Sequence, residues 1–217
     1  MDLITRIQEG HTHLVTEFLR LGNGAQTGDK NGVSLMQWCA YHGDVTAIEV
    51  LLERGASLND LGKNFDLNGA VFHGHVRLTE FLLEAGADPN FPLEDTGETP
   101  LHAALCKSGD PAYTEIVRDL LGRGANPSAI TKPRVETGAF MRDVFTRAET
   151  PLHRAAAYGD ATCIRLLLDA GADKTRRDMN GDSPLSWASW HLRPPKILAL
   201  LCFGDYSIHP DRLREDR

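Results

Sequence analysis

Apolar residues along the chain gather in short runs, and each run stops at a glycine. Cys163, Ile164, Leu167 and Leu168 fall at i, i+1, i+4 and i+5, a spacing that puts all four on one face of a helix. Ile116, Val117, Leu120 and Leu121 repeat the pattern, as do Ala47, Ile48, Leu51 and Leu52. Gly22, Gly55, Gly86, Gly124, Gly171 and Gly204 close these segments at intervals of 33, 31, 38, 47 and 33 residues. A glycine at such a place takes the left-handed conformation that ends a helix without a Cβ clash. The pattern predicts six units with a fundamental period of 33. Each is a short apolar helix, a glycine-containing turn, a second helix and a closing glycine.

Two units begin their first helix alike, "ETPLHAAL" from Glu98 and "ETPLHRAA" from Glu149, with a weaker copy "DSPLSWAS" from Asp182. Thr99 and Thr150 are predicted to cap the free amides of a helix start. Pro100 and Pro151 lose nothing at the first helical position by lacking an N–H. His102 and His153 then sit at the helix base, where an imidazole ties the turn to the neighbouring unit by hydrogen bonds.

The first two copies are 51 residues apart and the next two 33, so 18 residues are extra. Four fall between the two helices of the fourth unit, around "KSGDPAY", and fourteen in the turn that follows. That turn carries Val135, Phe140, Met141, Val144 and Phe145 together with Lys132, Arg134, Arg142 and Arg147. A disordered loop is ordinarily polar and poor in aromatics. The segment is therefore predicted to be an ordered finger, "TKPRV" pairing with "FMRDVF" around "ETGA", and part of a binding surface.

The segments "TPLHAAL…LLGRGAN" and "TPLHRAAAYGDATCIRLLLDAGAD" resemble the ankyrin repeat family. The resemblance is specific in those two units and looser toward the ends, covering about residues 1 to 205. It implies an all-α solenoid, six stacked helix-turn-helix units with an extended finger between units four and five. The domain is expected over residues 1–205, with the insertion at 127–148 and a charged tail at 206–217. The first unit, "DLITRIQEG", has no TPLH, the second reads "SLMQ", the third "DLNG" and the last "SPLS"; atypical end units are expected of a solenoid, because their outer faces meet water. The resemblance also implies that the two positions before each inter-helix turn face a concave groove and contact partners. Here these are Gln8 and Glu9, Tyr41 and His42, Phe72 and His73, Cys106 and Lys107, Ala157 and Tyr158, Trp190 and His191. Aromatic side chains at such positions are enriched at binding hot spots.

Charge narrows the partners. The chain has 217 residues and a formal net charge of −7, which disfavours nucleic acid and anionic membranes and favours a protein with a basic patch. No window approaches the roughly 18 apolar residues of a membrane span, and "MDLITRIQEGHTH" lacks the pattern of an export signal. Cys39, Cys106, Cys163 and Cys202 form no CxxC pair and are expected to be reduced packing residues in a cytoplasmic protein. "HTH" at His11 and "HGH" at His73 lack the converging partners a zinc site needs, the rings of His73 and His75 being expected to diverge about Gly74. No GxxxxGK[ST], GxSxG, GxGxxG or HExxH occurs.

The reading is a non-catalytic protein-interaction module, monomeric alone and without cofactor or metal. It binds a macromolecular partner through Tyr41, His42, Phe72, His73, Lys107, Tyr158, Trp190 and His191 and through finger residues Arg134, Phe140, Met141, Arg142 and Phe145, as an inhibitor or adaptor. The alternative is an enzyme or enzyme subunit with its site beneath the long finger, near His42, His73 and Tyr158.

Overall fold

Helices of five to twelve residues are too short to hold their shape alone in water, so they must bury an apolar face against neighbours. The computed structural model describes residues 2–107, 109–137 and 145–202. By its contacts the chain divides into two compact units, Met1–Asp88 and Pro89–Arg217.

In the first unit the helices run in pairs: α1 (Leu3–Gln8) with α2 (Val15–Arg20), α3 (Leu35–Tyr41) with α4 (Val45–Glu53), and α5 (Leu67–Phe72) with α6 (Val76–Glu84). Here α3 packs between α1 and α5, and α4 between α2 and α6, so the pairs stack in two layers. Ile7, Leu35, Ile48, Leu51, Leu67, Leu78 and Leu82 fill the seam with no exposure. The second unit repeats the plan with α7 (Pro100–Ala104) and α8 (Pro111–Gly122), α9 (Pro151–Tyr158) and α10 (Ala161–Asp169), and α11 (Pro184–Trp190) and α12 (Pro195–Leu201). There α9 packs between α7 and α11, and α10 between α8 and α12, over a seam that includes Leu101, Ile116, Leu120, Leu152, Ile164 and Leu167. Each unit is thus all-α, as expected, and no β-strand forms among the described residues.

Local chemistry starts and stops the helices where the sequence places the signals. Asp44 accepts from Ala47 N–H at 3.0 Å and Asp160 from Cys163 N–H at 2.7 Å. Pro100, Pro151 and Pro184 occupy the first helical positions. The closing glycines at 22, 55, 86, 124 and 171 all have φ between 87° and 98°. Gly204 and the tail lie outside the described residues.

The connection between α7 and α8 runs over residues 105–110 and that between α9 and α10 over residues 159–160, so the four extra residues expected between the helices are there. The connection starts early, because α7 is shorter than α9, five residues against eight, and α8 longer than α10, twelve against nine. Lys107 consequently lies in the connection and not at a helix end. At the finger base Arg134 N–H donates to Thr146 C=O at 2.7 Å, Thr146 N–H to Val135 C=O at 2.8 Å, and Glu136 bridges Phe145. This is the start of a hairpin; its expected tip, with Phe140, Met141 and Arg142, lies outside the described residues.

One connection breaks the glycine rule. Where other pairs turn through Gly43 or Gly74, the last turns through Leu192, at φ 51° and 91% exposed. A left-handed residue with a Cβ costs about 1–2 kcal/mol, and this side chain packs against almost nothing. Leu192→Gly is expected to raise unfolding stability by about 0.5–1 kcal/mol, after the added chain entropy of glycine, as an increased urea midpoint at unchanged m-value. A lowered midpoint would show that the side chain packs in solution.

Candidate functional site

Four imidazoles hold consecutive helix pairs together. In the first unit His42 Nε2 lies 3.0 Å from Gln8 C=O, and His75 Nε2 3.0 Å from Tyr41 C=O. In the second, Thr99 N–H donates to His102 Nδ1 at 3.2 Å and Thr150 N–H to His153 Nδ1 at 3.1 Å. The opposite ring nitrogens reach Glu149 C=O at 3.4 Å and Asp182 C=O at 3.1 Å. A carbonyl only accepts, so Nε2 carries the proton and Nδ1 is left to receive the amide. Burial, reinforced by the charge of Arg154, pushes His102 down to about 3, so the ring is neutral. The expected tie is present.

Beside His102 lies a group the repeat pattern did not announce. Arg154 is fully buried, its Nη2 2.6 Å from both Glu98 Oε1 and Glu149 Oε1 and its Nη1 3.2 Å from Cys106 Sγ and 3.3 Å from His102 C=O. The long finger supplies further bonds. Thr131 Oγ1 donates to Glu149 Oε2 at 2.7 Å, Arg147 N–H to the same oxygen at 2.6 Å, and Thr137 Oγ1 to Glu98 at 2.9 Å. Burial would raise the Glu149 carboxyl, but the Arg154 charge and the Arg147 and Thr131 bonds hold it down to about 2. Burial also pushes the Cys106 thiol up, and its Sγ donates to His102 C=O at 3.1 Å. Two buried carboxylates about one guanidinium therefore root the finger in α7 and α9. The readable sign was the glutamate preceding both TPLH copies.

The expected contact residues fall into separate groups. Four first helices end on an aromatic residue: α3 on Tyr41, α5 on Phe72, α9 on Tyr158 and α11 on Trp190. Tyr41 is 55% and Trp190 59% exposed. In the first unit the Tyr41 ring stands 5.1 Å from those of both His42 and His73, and Phe72 5.5 Å from His73. In the second, Tyr158 meets His191 edge to face at 4.9 Å. Lys107 is apart from these, its Nζ 5.8 Å over the Tyr113 ring. Arg134 and Phe145 are exposed at the finger base. His73 and His75 do not diverge: their rings stack at 5.7 Å and 21°, because Gly74 folds the chain back between them. Among the described residues no group of His, Cys, Asp or Glu is arranged to hold a metal ion.

The first unit also contains a cleft of about 770 Å³. Glu9, Tyr41 and His73 line it, together with Trp38, Phe65 and Asp66, which were not anticipated. Trp38 was legible, lying three residues before Tyr41 on the same face of α3. Phe65 and Asp66 were not, because a left-handed run leaves no periodic trace in the sequence.

Models of ankyrin repeats match this chain: one of three copies over residues 3–92 and 113–212, and one of many copies over residues 69–121. The chain is 25% identical over 207 residues to palmitoyltransferase ZDHHC13 of Homo sapiens, covering 86% of this chain and 33% of that protein. It is 27% identical over 192 residues to target of rapamycin complex 2 subunit AVO2 of Saccharomyces cerevisiae, covering 84% and 41%. It is 27% identical over 127 residues to NF-kappa-B inhibitor alpha of Gallus gallus, covering 53% and 36%. The chain spans about a third of the length of the first of these curated relatives and two fifths of the second.

Arg154→Met is expected to cost about 3–5 kcal/mol by leaving two buried carboxylates without their cation, with Glu98→Gln and Glu149→Gln added together restoring most of it; equilibrium urea denaturation measures both. His102 and Glu149 both bind protons less readily folded than unfolded, so their contribution is present above pH 6.5 and lost on acidification. His102 loses its share as the pH falls from 6.5 toward about 3, and Glu149 from 4.5 toward about 2. Urea midpoints at pH 7.5, 5.5 and 4 should fall in that order, and less steeply in His102→Gln.

Proposed function

The chain belongs to the ankyrin repeat family, and we propose that it is a non-catalytic protein-binding module whose partner contacts the aromatic ends of the first helices. Ankyrin repeats are protein-interaction modules, and no helix among the described residues is long and apolar enough to cross a membrane. Tyr41, His42, Phe72 and His73 form the contact surface of the first unit, and Tyr158, Trp190 and His191 that of the second. Lys107, Arg134 and Phe145 extend it, as do Phe140, Met141 and Arg142 of the finger. The observation that carries this reading is the exposure of Tyr41 and Trp190, which end equivalent helices. Large rings left in water on a rigid scaffold supply contact area at little entropic cost.

An inhibitor or adaptor role fits the relatives, one named as an inhibitor and another as a subunit of a complex. The likeness to a palmitoyltransferase covers a third of that protein, and ankyrin-type recognition by itself accounts for it. The competing enzyme reading places a site beneath the finger, whereas the cleft described above is lined by residues of α1, α3, α5 and α6 and of the turns before α3 and α5.

Replacing Tyr41, Phe72, Tyr158 and Trp190 together by alanine is expected to leave the far-ultraviolet circular dichroism unchanged and to abolish capture of the partner by the intact chain. A folded quadruple variant with undiminished affinity would discard the reading.

A further inference from the structure

The acidity of the protein is concentrated in the first unit. Residues 1–88 hold six Lys and Arg against twelve Asp and Glu, while residues 89–217 hold seventeen against eighteen. The cleft of that unit is lined by two carboxylates, Glu9 and Asp66, and by neither lysine nor arginine. Its walls include the rings of Trp38, Tyr41, Phe65 and His73. Trp38 meets Tyr41 edge to face at 6.0 Å and 82°, and Tyr41 meets His73 at 5.1 Å and 68°, so successive rings turn corners along the wall.

The backbone is strained to build this wall. Asn64, Phe65 and Asp66 have φ of 52°, 54° and 51°, three consecutive left-handed residues with side chains. Each costs on the order of 1 kcal/mol, and strain of this kind persists where the surroundings enforce it. Asn64 is clamped by two bonds, Nδ2 to Asp88 C=O at 2.9 Å and Asp88 N–H to its Oδ1 at 2.7 Å. Asp66 accepts from Gly69 N–H at 3.3 Å, and a Cβ on Gly69 would stand 2.4 Å from its Oδ2. The arrangement holds a carboxylate and a phenyl ring at the cleft. Desolvation pushes the Asp66 carboxyl up, outweighing the Gly69 bond and the nearby His73, so its negative charge is only partly compensated by the protein.

We infer that this cleft receives a cationic side chain of the partner, arginine in preference to lysine, with the charge between Glu9 and Asp66 and the planar group against the Trp38 and Tyr41 rings. Guanidinium is the better fit because it stacks on aromatic faces and is less strongly hydrated than ammonium. The inference rests on the protein-binding reading and names what the first unit recognises.

The test titrates the intact chain with blocked pentapeptides Gly-Gly-X-Gly-Gly, X being arginine, lysine or the neutral isostere citrulline, following the indole N–H resonances by nuclear magnetic resonance. The arginine peptide is expected to move the Trp38 signal, assigned by Trp38→Phe, with citrulline binding about tenfold more weakly. Glu9→Gln with Asp66→Asn, which keeps a capping oxygen for α5, is expected to remove that preference while leaving the circular dichroism intact. Equal affinity for arginine and citrulline, a preference for lysine, or shifts confined to Trp187 and Trp190 would overturn the inference. Partner capture by the quadruple aromatic variant is the separate readout. Capture lost without arginine discrimination sinks the cleft and spares the module, and discrimination with capture retained does the reverse.

Discussion

Within each unit a helix pair hides its apolar face against its neighbours, so everything else depends on keeping the polar backbone at those seams satisfied. The imidazoles of His42, His75, His102 and His153 do this, each placing a ring nitrogen within hydrogen-bond reach of a carbonyl 29 to 47 residues away. A neutral ring bonds through both nitrogens, which is how His102 and His153 close their own helix start and fasten the next element with one group. An unbonded carbonyl at a seam would carry its desolvation cost without return. At these four positions the imidazole serves the seam, and aromatic side chains such as Tyr41 stand beside it.

The long finger is secured by a different device. Its base rests on two carboxylates bridged by a fully buried arginine, and Thr131, Thr137 and the Arg147 amide complete the shell. A buried ion pair adds little net stability but penalises any arrangement in which its members separate. That property suits an insertion: loop length itself costs little, and the network fixes where the finger leaves the stack, so that Arg134 and Phe145 emerge at defined places.

Against these satisfied seams, the exposed groups stand out. Tyr41 and Trp190 project from ends of equivalent helices, and Leu192 occupies a left-handed position with its side chain in water. In the first unit the strained run at Asn64 to Asp66 adds a carboxylate to an aromatic cleft. Rigidity in the stack and strain at its edge belong together, since only a well-packed scaffold sustains unfavourable backbone.

Much of the fold was legible along the chain. Period, helix faces, proline starts, glycine stops and the seam roles of His102 and His153 all follow from interactions within one or two repeats, where spacing in sequence maps directly onto a helical surface; the ties made by His42 and His75 were not read from it. The aromatic helix ends were legible for the same reason. Other features required atoms distant in sequence to meet. Arg154 reads as an ordinary polar position until Glu98, 56 residues earlier, and Glu149 close around it. The early end of α7, the stacking of His73 on His75 and the cleft beside Asp66 likewise depend on packing. The sequence by itself determined a repeating all-α stack with a ring-bearing edge, because repeat geometry is local. Only the tertiary structure decided which charges are buried and which face a cavity, because desolvation is set by everything that surrounds a group and not by its neighbours along the chain.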